Sequence, residues 1–147
     1  MINMHRAVIY LFRGFAIMAM EYNTLETYIL SKKESHKAFP FGPGAAVFKI
    51  HGKMFALVAR TEKPLRITLK CDPDDADVLR SLFDAVEPGY PMNKSHWNIV
   101  TLDGTVPDGI ILNMIDLSYA LVANWNRDVL VKASDKIPTS FHAEINR

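Results

Sequence analysis

The sequence contains a single cysteine, Cys71, so an intramolecular disulfide is excluded. A zinc site would depend on histidine and carboxylate ligands. None of the five histidines lies four residues from another, as the helix of a metalloprotease requires. Small secreted domains usually contain several cysteines. We therefore predict a cytoplasmic protein without a bound metal or other cofactor.

Charge of neither sign is in excess, because 17 lysine and arginine residues are balanced by 16 aspartate and glutamate residues, a formal net charge of +1. Nucleic-acid-binding domains are usually strongly basic. The whole-chain charge thus argues mildly against that function and leaves room only for a local basic surface. The hydrophobic content of 49% and the charged content of 22% are close to globular averages. A chain of 147 residues with this composition predicts one folded domain with one core.

The chain lacks an uninterrupted apolar stretch that would span a membrane. Its most apolar segment, residues 1–20, is divided by Arg13, which would lie in the middle of a transmembrane helix or of a secretory signal. Two interpretations remain open: an apolar helix that packs on the domain or on a partner, or upstream sequence before a natural start at Met18 or Met20. We favour the second, because the pattern of a folded domain begins at Glu21. The predicted organisation is an N-terminal extension over residues 1–20, one domain over residues 21–134 and a tail over residues 135–147.

Hydrophobic periodicity and turn residues predict eight elements of secondary structure. Helices are expected over residues 22–33, from Pro73 onward and over residues 107–126, and strands over residues 45–50, 53–60, 65–70, 86–90 and 97–102. Asp72 is placed to cap the second helix, with Pro73 at its first position. The order α-β-β-β-α-β-β-α predicts a two-layer α+β fold in which helices pack on an antiparallel sheet of about five strands.

No catalytic motif is recognisable in the sequence. A phosphate-binding loop needs N–H groups at a helix N-terminus, whereas Pro43 of Phe41-Gly42-Pro43-Gly44 lacks an N–H and a strand follows. Ser118-Tyr119 lies within the third predicted helix, and no lysine follows the tyrosine by four residues. Cys71 precedes Asp72, whose negative charge would raise the pKa of the thiol. We predict a protein that is not an enzyme.

Residues 92–97 combine a lysine, a histidine and a tryptophan at the entrance of a predicted strand. Lys94 and His96 beside Trp97 form a set able to grip a phosphate and stack on a base, or to anchor a protein partner through the tryptophan. The structural alternative is that Trp97 is buried against the third helix while Asn93 and His96 satisfy backbone groups. Both interpretations stay open, with a slight preference for the structural one.

Several short motifs resemble the MmcQ/YjbR family in their order and spacing. They are Asn93-Lys94-x-His96-Trp97-x-x-Val100-x-Leu102-Asp103-Gly104, Val106-Pro107-Asp108, Asp116-x-Ser118-Tyr119, Phe39-Pro40-Phe41-Gly42-Pro43, Gly52-Lys53-Met54-Phe55-Ala56 and Leu69-Lys70-Cys71. The resemblance covers residues 22–126. It implies a CyaY-like, secretion-chaperone-like fold and DNA binding through a double wing of loops and strands. It does not imply iron binding, because Glu26 is the only acid in the first predicted helix, unlike the acidic first helix of frataxin.

The resemblance and the charges together predict weak, non-specific DNA binding with marked salt dependence. The candidate contact residues, assigned from charge and expected loop position, are Lys49, Lys53, Arg60, Arg66, Lys94, His96 and Trp97. The alternative is a protein-interaction or chaperone-like module that holds a protein partner, or forms a homodimer, through an exposed apolar surface. Convergence of the named cations on one face would favour DNA, and a bare apolar surface would favour a protein.

Overall fold

The structure, a computed structural model, describes residues 9–12 and 15–123, with side chains described from Ala19 onward. In chain order its elements are β1 (Ile9–Phe12), β2 (Phe15–Met18), α1 (Tyr22–Leu30), β3 (His36–Ala38), β4 (Ala45–Ile50), β5 (Lys53–Ala59), β6 (Arg66–Lys70), α2 (Pro73–Leu82), β7 (Val86–Pro88), β8 (Trp97–Thr101) and α3 (Asp108–Ala123). Strands β1 and β2 form a separate two-stranded antiparallel sheet. The other six strands form the main sheet.

The main sheet is antiparallel throughout, in the spatial order β3-β4-β5-β6-β8-β7. The predicted hairpin between β4 and β5 is present, and both of its turn residues, His51 and Gly52, have positive φ (51° and 76°). Such a pair of residues matches the right-handed twist of the flanking strands. After β6 the chain forms α2 and the edge strand β7, and β8 then returns to pair between β6 and β7.

One face of the main sheet forms the core together with the helices. Ala46, Val58, Ile67, Val100 and Val86 follow one another in register across five strands, and all five are buried. Apolar residues of α1, α2 and α3 belong to the same core cluster: Leu25, Ile29, Leu79, Ile111 and Ile115. Full burial of each large apolar side chain stabilises a fold by about 1.5–3 kcal/mol, so this shared layer fixes which face of the sheet the helices cover.

The opposite side of the main sheet is called the open face here. Val47, Leu57, Thr68 and Ile99 succeed one another across its central strands. None of these residues belongs to the core cluster, although Val47 and Thr68 are buried. Leu57 and Ile99 remain partly accessible. The centre of the open face is therefore only partly accessible.

Helix α2 begins where the sequence predicts. The Oδ1 of Asp72 accepts a hydrogen bond from the backbone N–H of Asp74 over 3.0 Å, and Pro73 occupies the first turn. A cap of this kind is worth about 1 kcal/mol, because it satisfies an N–H that has no partner within the helix. Asp74 and Asp75 in the first turn and Arg80 in the last complement the helix dipole.

The predicted α+β fold is confirmed, with three helices and an open antiparallel sheet. The main sheet has six strands rather than about five, because β3 (His36–Ala38) was not predicted. Its first two residues are exposed and polar, so the segment lacks the alternation typical of a strand. Pairing with β4 makes it a strand, and that partner is not visible in the local sequence.

The helical interpretation of residues 1–20 is wrong for Ile9–Phe12 and Phe15–Met18, which pair as antiparallel strands. Aromatic and β-branched residues in both segments favour a strand once a partner strand is present. Met20 is buried in the core, so the packed unit includes a residue before Glu21. The natural-start interpretation and the domain limits remain predictions. The expected end of the third helix at residue 126 and the tail over residues 135–147 lie outside the described residues.

Across residues 9–12 and 15–123, no helix combines the length and the apolar character needed to cross a membrane.

Candidate nucleic-acid interface

The β7–β8 loop (residues 89–96) is held to α2 by the side chain of Arg80. Its Nε donates to the Oδ1 of the fully buried Asn98 over 2.7 Å. The same guanidinium donates to the carbonyl oxygens of Lys94 and Trp97. Because a planar guanidinium carries five N–H donors in a fixed geometry, one side chain serves all three acceptors. Arg80 thus sets the position of the loop relative to the sheet.

Backbone hydrogen bonds fix the loop further. The side chain of Asn93 accepts from the N–H of Ser95 over 3.0 Å, and its carbonyl accepts from the N–H of His96 over 3.0 Å. Asn93 thus satisfies backbone groups, as one of the two interpretations has it. The burial of Trp97 against the third helix in the same interpretation is wrong, because Trp97 lies on the open face. The carbonyl of His96 accepts from the N–H of Cys71 over 2.7 Å, which extends the pairing of β6 with β8. The side chains of Lys94 and His96 are exposed, so a fixed backbone presents two basic groups to solvent.

Gly89 permits the β7–β8 loop to start directly beside Trp97. Its N–H donates to the carbonyl of Trp97 over 2.8 Å. A Cβ at Gly89 would lie 2.7 Å from the Cβ of Trp97, closer than packed carbon atoms can approach. The following residue, Tyr90, is 72% exposed, and the Nζ of Lys94 lies 5.4 Å from the centroid of its ring. This distance suits a cation–π contact.

A β-bulge in β5 determines which side chains reach the open face at this end of the sheet. The register between β4 and β5 shifts after Phe48, so that Phe55 has no cross-strand partner. Phe55 and Ala56 are both fully buried, as expected where a bulge adds one residue to a strand. Met54 therefore returns to the open face, opposite Lys49.

The buried hydroxyl of Ser118 replaces the ladder bond that the bulge removes. It donates to the carbonyl of Phe55 over 2.6 Å and accepts from the N–H of Lys70 over 2.9 Å. Two backbone groups that the bulge separates are thereby both satisfied. Ser118, predicted to serve close packing rather than catalysis, is a structural residue that fixes the backbone of Lys70.

At this end of the open face, four neighbouring strands contribute one side chain each. We call Lys49, Met54, Lys70 and Trp97 the lysine row. Lys49 is paired with Met54, and Lys70 with Trp97, in the strand register. All four are partly accessible. Trp97 is half-buried at the sheet surface, whereas Asn98 next to it faces α2.

The lysines at this end have no acidic ion-pair partner within residues 19–123. Within residues 19–123 no ion pair engages Lys49, Lys53, Lys70 or Lys94. Lys53 begins β5 at the tip of the hairpin, opposite the core residue Ile50, so it lies at the same end of the sheet but not in the lysine row. Among the side chains that the structure describes, none neutralises these four positive charges through an ion pair.

Arg60 and Arg66 lie at the opposite end of the sheet and are engaged with other groups. The guanidinium of Arg66 is paired with Glu87 and also lies 3.7 Å from a carboxylate oxygen of Glu62. That of Arg60 donates to the carbonyl of Pro43 over 3.2 Å and lies about 5 Å from two aromatic rings. The structure thus brings Lys49, Lys53, Lys94, His96 and Trp97 to one end and leaves both arginines at the other.

Sequence reasoning missed three residues of this region: Lys70, Tyr90 and Arg80. A signal for Lys70 was present, because alternation after the core residues Ile67 and Leu69 places it on the open face. Nothing in the local sequence marks Tyr90 as exposed. Arg80 looks like a helix-dipole partner, and its contacts with Asn98 and Lys94 span 18 and 14 residues.

The Asp116-x-Ser118-Tyr119 motif ties α3 to the rest of the fold. Asp116 accepts from the hydroxyl of Tyr28 on α1 over 2.8 Å, and Tyr119 donates to the carbonyl of Lys33 over 2.7 Å. Burial, followed by the hydrogen bond to Asp116, raises the pKa of Tyr28 to about 12. The two tyrosines are hydrogen-bond donors that join α3 to α1 and to the segment that follows α1.

Nucleophilic chemistry is disfavoured at Cys71. Burial raises the pKa of its thiol to about 12, and the negative charges of Asp75 and Asp72 add to the effect. The nucleophile would be the thiolate, which is scarcely populated at neutral pH. The prediction of a protonated, inert thiol agrees with this pKa. Residues 19–123 also contain no cluster of three or more histidine, cysteine or acidic side chains suited to a metal ion.

The chain is similar in sequence to a protein family and to individual proteins from bacteria. The YjbR family model matches residues 30–121. The protein YjbR of Escherichia coli K12 is 31% identical over 105 residues, which cover 71% of this chain and 89% of that protein. YbdF of Escherichia coli O157:H7 is 35% identical over 86 residues, or 58% of this chain and 70% of that protein.

Solved structures agree with these sequence matches. A crystal structure of a Deinococcus radiodurans protein with the domain DUF419 superposes with a TM-score of 0.68 at 34% identity, over 76% of this chain and 86% of that one. A Pseudomonas syringae protein superposes with a TM-score of 0.61 at 28% identity, over 70% and 99% of the two chains. The family model spans more than half of the sequence, and the matches cover most of the length of the relatives. The chain therefore belongs to the YjbR family.

Proposed function

We propose that the chain binds DNA weakly and without sequence preference, through the lysine-bearing end of the main sheet. The observation that carries this proposal is the position of Lys49, Lys53, Lys70 and Lys94, which gather at one end of the sheet without an ion-pair partner in residues 19–123. A lysine without an ion-pair partner is well solvated in water, and the counterions released when it contacts a DNA phosphate favour binding. Such lysines therefore suit a phosphate backbone.

The predicted interface is smaller than the sequence implied. Arg66 is paired with Glu87, and Arg60 is engaged with Pro43 and two rings, so we assign neither to the DNA contact. Four lysine–phosphate contacts predict a salt slope, d log K/d log [salt], of roughly −3 to −4 for duplex DNA. Affinity of this origin is weak at physiological salt and carries no information about sequence, because phosphates are identical along the strand.

The test is fluorescence anisotropy with labelled DNA at about 50 mM and about 200 mM salt, a range over which phosphate contacts change affinity strongly. The double variant Lys49→Glu/Lys94→Glu should bind at least about tenfold more weakly, with a salt slope smaller by roughly 2. The matched control is Lys37→Glu/Lys63→Glu, in which both lysines are exposed and the change of net charge is the same. Lys63 lies in the β5–β6 turn at the opposite end of the sheet, and Lys37 lies on the helix side, where it contacts Glu26 of α1.

Equal losses in the two double variants would show that net charge, rather than this surface, governs binding. An absence of binding by the unmodified protein at low salt would reject a role in DNA binding altogether.

A protein partner is the second candidate, because two phenylalanines are exposed at the opposite end of the sheet. Phe39 is 40% and Phe41 is 72% exposed, and exposed aromatic rings often mark a protein interface. The chain would then act as an interaction or chaperone-like module, or form a homodimer through this loop. Light scattering of the protein and of Phe41→Ser over a range of concentrations tests self-association. A dimer that Phe41→Ser dissociates would support it, and a monomer at every concentration would reject it.

A further inference from the structure

Two aromatic side chains, Tyr90 and Trp97, lie among the lysines at this end of the sheet. Trp97 occupies the lysine row beside its cross-strand partner Lys70. Tyr90 is joined to the strand of Trp97 through Gly89, whose N–H donates to the Trp97 carbonyl over 2.8 Å. The ring of Tyr90 is 72% exposed, with the Nζ of Lys94 5.4 Å from its centroid. Each aromatic ring therefore has a lysine next to it.

The formal charges in the β7–β8 loop and β8 are of one sign. Residues 89–102, which contain the whole loop and β8, include no aspartate or glutamate. The acidic residues nearest in the chain to Lys70 are Asp72, Asp74, Asp75 and Asp77. They belong to the start of α2, which packs on the other side of the sheet through Arg80 and Asn98. The loop and strand that carry the two aromatic rings thus contribute basic but no acidic side chains to the surface.

We propose that this surface holds an unpaired DNA strand, with bases stacked on Tyr90 and Trp97 and phosphates contacted by Lys49, Lys70 and Lys94. The proposal rests on the proposed DNA-binding function and specifies the form of DNA. An aromatic ring can stack only on a base whose face is free, and the bases of a duplex already cover each other. Trp97 is half-buried in the sheet, so it does not extend far enough to reach the floor of a groove about 8 Å deep.

The experiment compares an unpaired thymidine oligonucleotide with a duplex of equal length at about 50 mM salt. It uses the full chain with Trp125→Phe, because the sequence contains only two tryptophans and Trp97 then becomes the sole tryptophan reporter. The unpaired strand should bind about tenfold more tightly than the duplex and should quench the fluorescence of Trp97 by stacking. Circular dichroism confirms that each variant is folded.

Tyr90→Ala should weaken binding of the unpaired strand roughly tenfold, the loss typical of one stacked base. The matched control is Phe41→Ala, because Phe41 has the same 72% exposure at the other end of the sheet, and this variant should leave affinity unchanged. Duplex binding as tight as that of the unpaired strand, or binding that leaves Trp97 fluorescence unchanged, overturns the inference while the proposed function stands. Failure to bind either form of DNA overturns both.

Discussion

The Nε of Arg80 and the Oδ1 of Asn98 lie 2.7 Å apart, and their hydrogen bond joins the last turn of α2 to the second residue of β8. Asn98 is fully buried, so its carboxamide oxygen has no water to replace this donor. The same guanidinium also donates to the carbonyls of Lys94 and Trp97. A residue of a helix on the core side thus holds the backbone of the β7–β8 loop, which presents Lys94 and Trp97 at the candidate interface.

Arg80→Ala should lower the free energy of unfolding by about 1–3 kcal/mol, because it leaves a buried acceptor without its donor. Arg80→Lys should recover only part of this loss, since an ammonium group does not reproduce the planar set of donors. Urea denaturation measures both effects. The control is Ser81→Ala, an exposed neighbour on α2, which should change stability by less than about 0.5 kcal/mol. Unchanged stability in Arg80→Ala would mean that the loop is held by its backbone bonds alone.

Ser118→Ala should cost about 1–3 kcal/mol, because the carbonyl of Phe55 and the N–H of Lys70 both lose their partner at a buried position. Amide hydrogen exchange at Lys70 should accelerate as well. The control is Thr27→Ala, which removes an exposed hydroxyl that also donates to a backbone carbonyl. A loss no larger than that of Thr27→Ala would contradict the bridging role of Ser118.

Gly89→Ala should be destabilising, because its Cβ would lie 2.7 Å from the Cβ of Trp97 and 2.9 Å from backbone atoms of the same residue. Relief of this clash requires the start of the β7–β8 loop to move. Thermal denaturation should show the loss, and tryptophan fluorescence should show a changed environment for Trp97. Gly109→Ala provides the matched control, because its added Cβ meets no atom within 4 Å. That variant should stabilise α3 by about 0.5–1 kcal/mol. Similar effects of the two substitutions would contradict the close approach at Gly89.

The stability of the fold should fall as the pH rises above 9, because of Cys71. Burial, with the charges of Asp75 and Asp72, raises the pKa of its thiol from 9.0 to about 12. Above pH 9 the unfolded chain releases the proton while the folded chain retains it. The contribution of the thiol to the free energy of unfolding is fully present below pH 9 and is then lost at up to about 1.4 kcal/mol per pH unit.

Urea denaturation of the protein and of Cys71→Ala between pH 9 and pH 10 isolates the contribution of Cys71, because tyrosines such as Tyr28, whose pKa rises from 10.0 to about 12 in the fold, contribute equally in both proteins. Cys71→Ala should flatten the pH dependence in that interval. An identical slope in the two proteins would show that other groups cause it.

Local chemistry was sufficient to predict most of the fold. The Asp72 cap and the His51-Gly52 turn are properties of a few consecutive residues, and both occur where the sequence places them. Strand β3 could not be predicted in the same way, because its residues are polar and form a strand only through pairing with β4. The strands β1 and β2 likewise depend on each other rather than on a pattern that distinguishes a strand from an apolar helix.

The candidate site was less predictable, because charge alone does not show which cations are already engaged. Arg66 and Glu87 are 21 residues apart in sequence, and their pairing follows from the neighbouring positions of β6, β8 and β7. Lys70 was overlooked although its strand was predicted. Lys70 belongs to the candidate site because it is the cross-strand partner of Trp97, and this pairing requires β8 to return beside β6.

By itself the sequence determined an α+β domain of the YjbR family, because hydrophobic spacing, turn residues and short motifs act locally. Only the tertiary structure decided which residues form a surface. Strand register, the bulge at Phe55 and the contact of Arg80 with Asn98 set the lysines and Trp97 side by side. Each of these depends on groups that are distant in sequence, and no local pattern encodes how such groups meet.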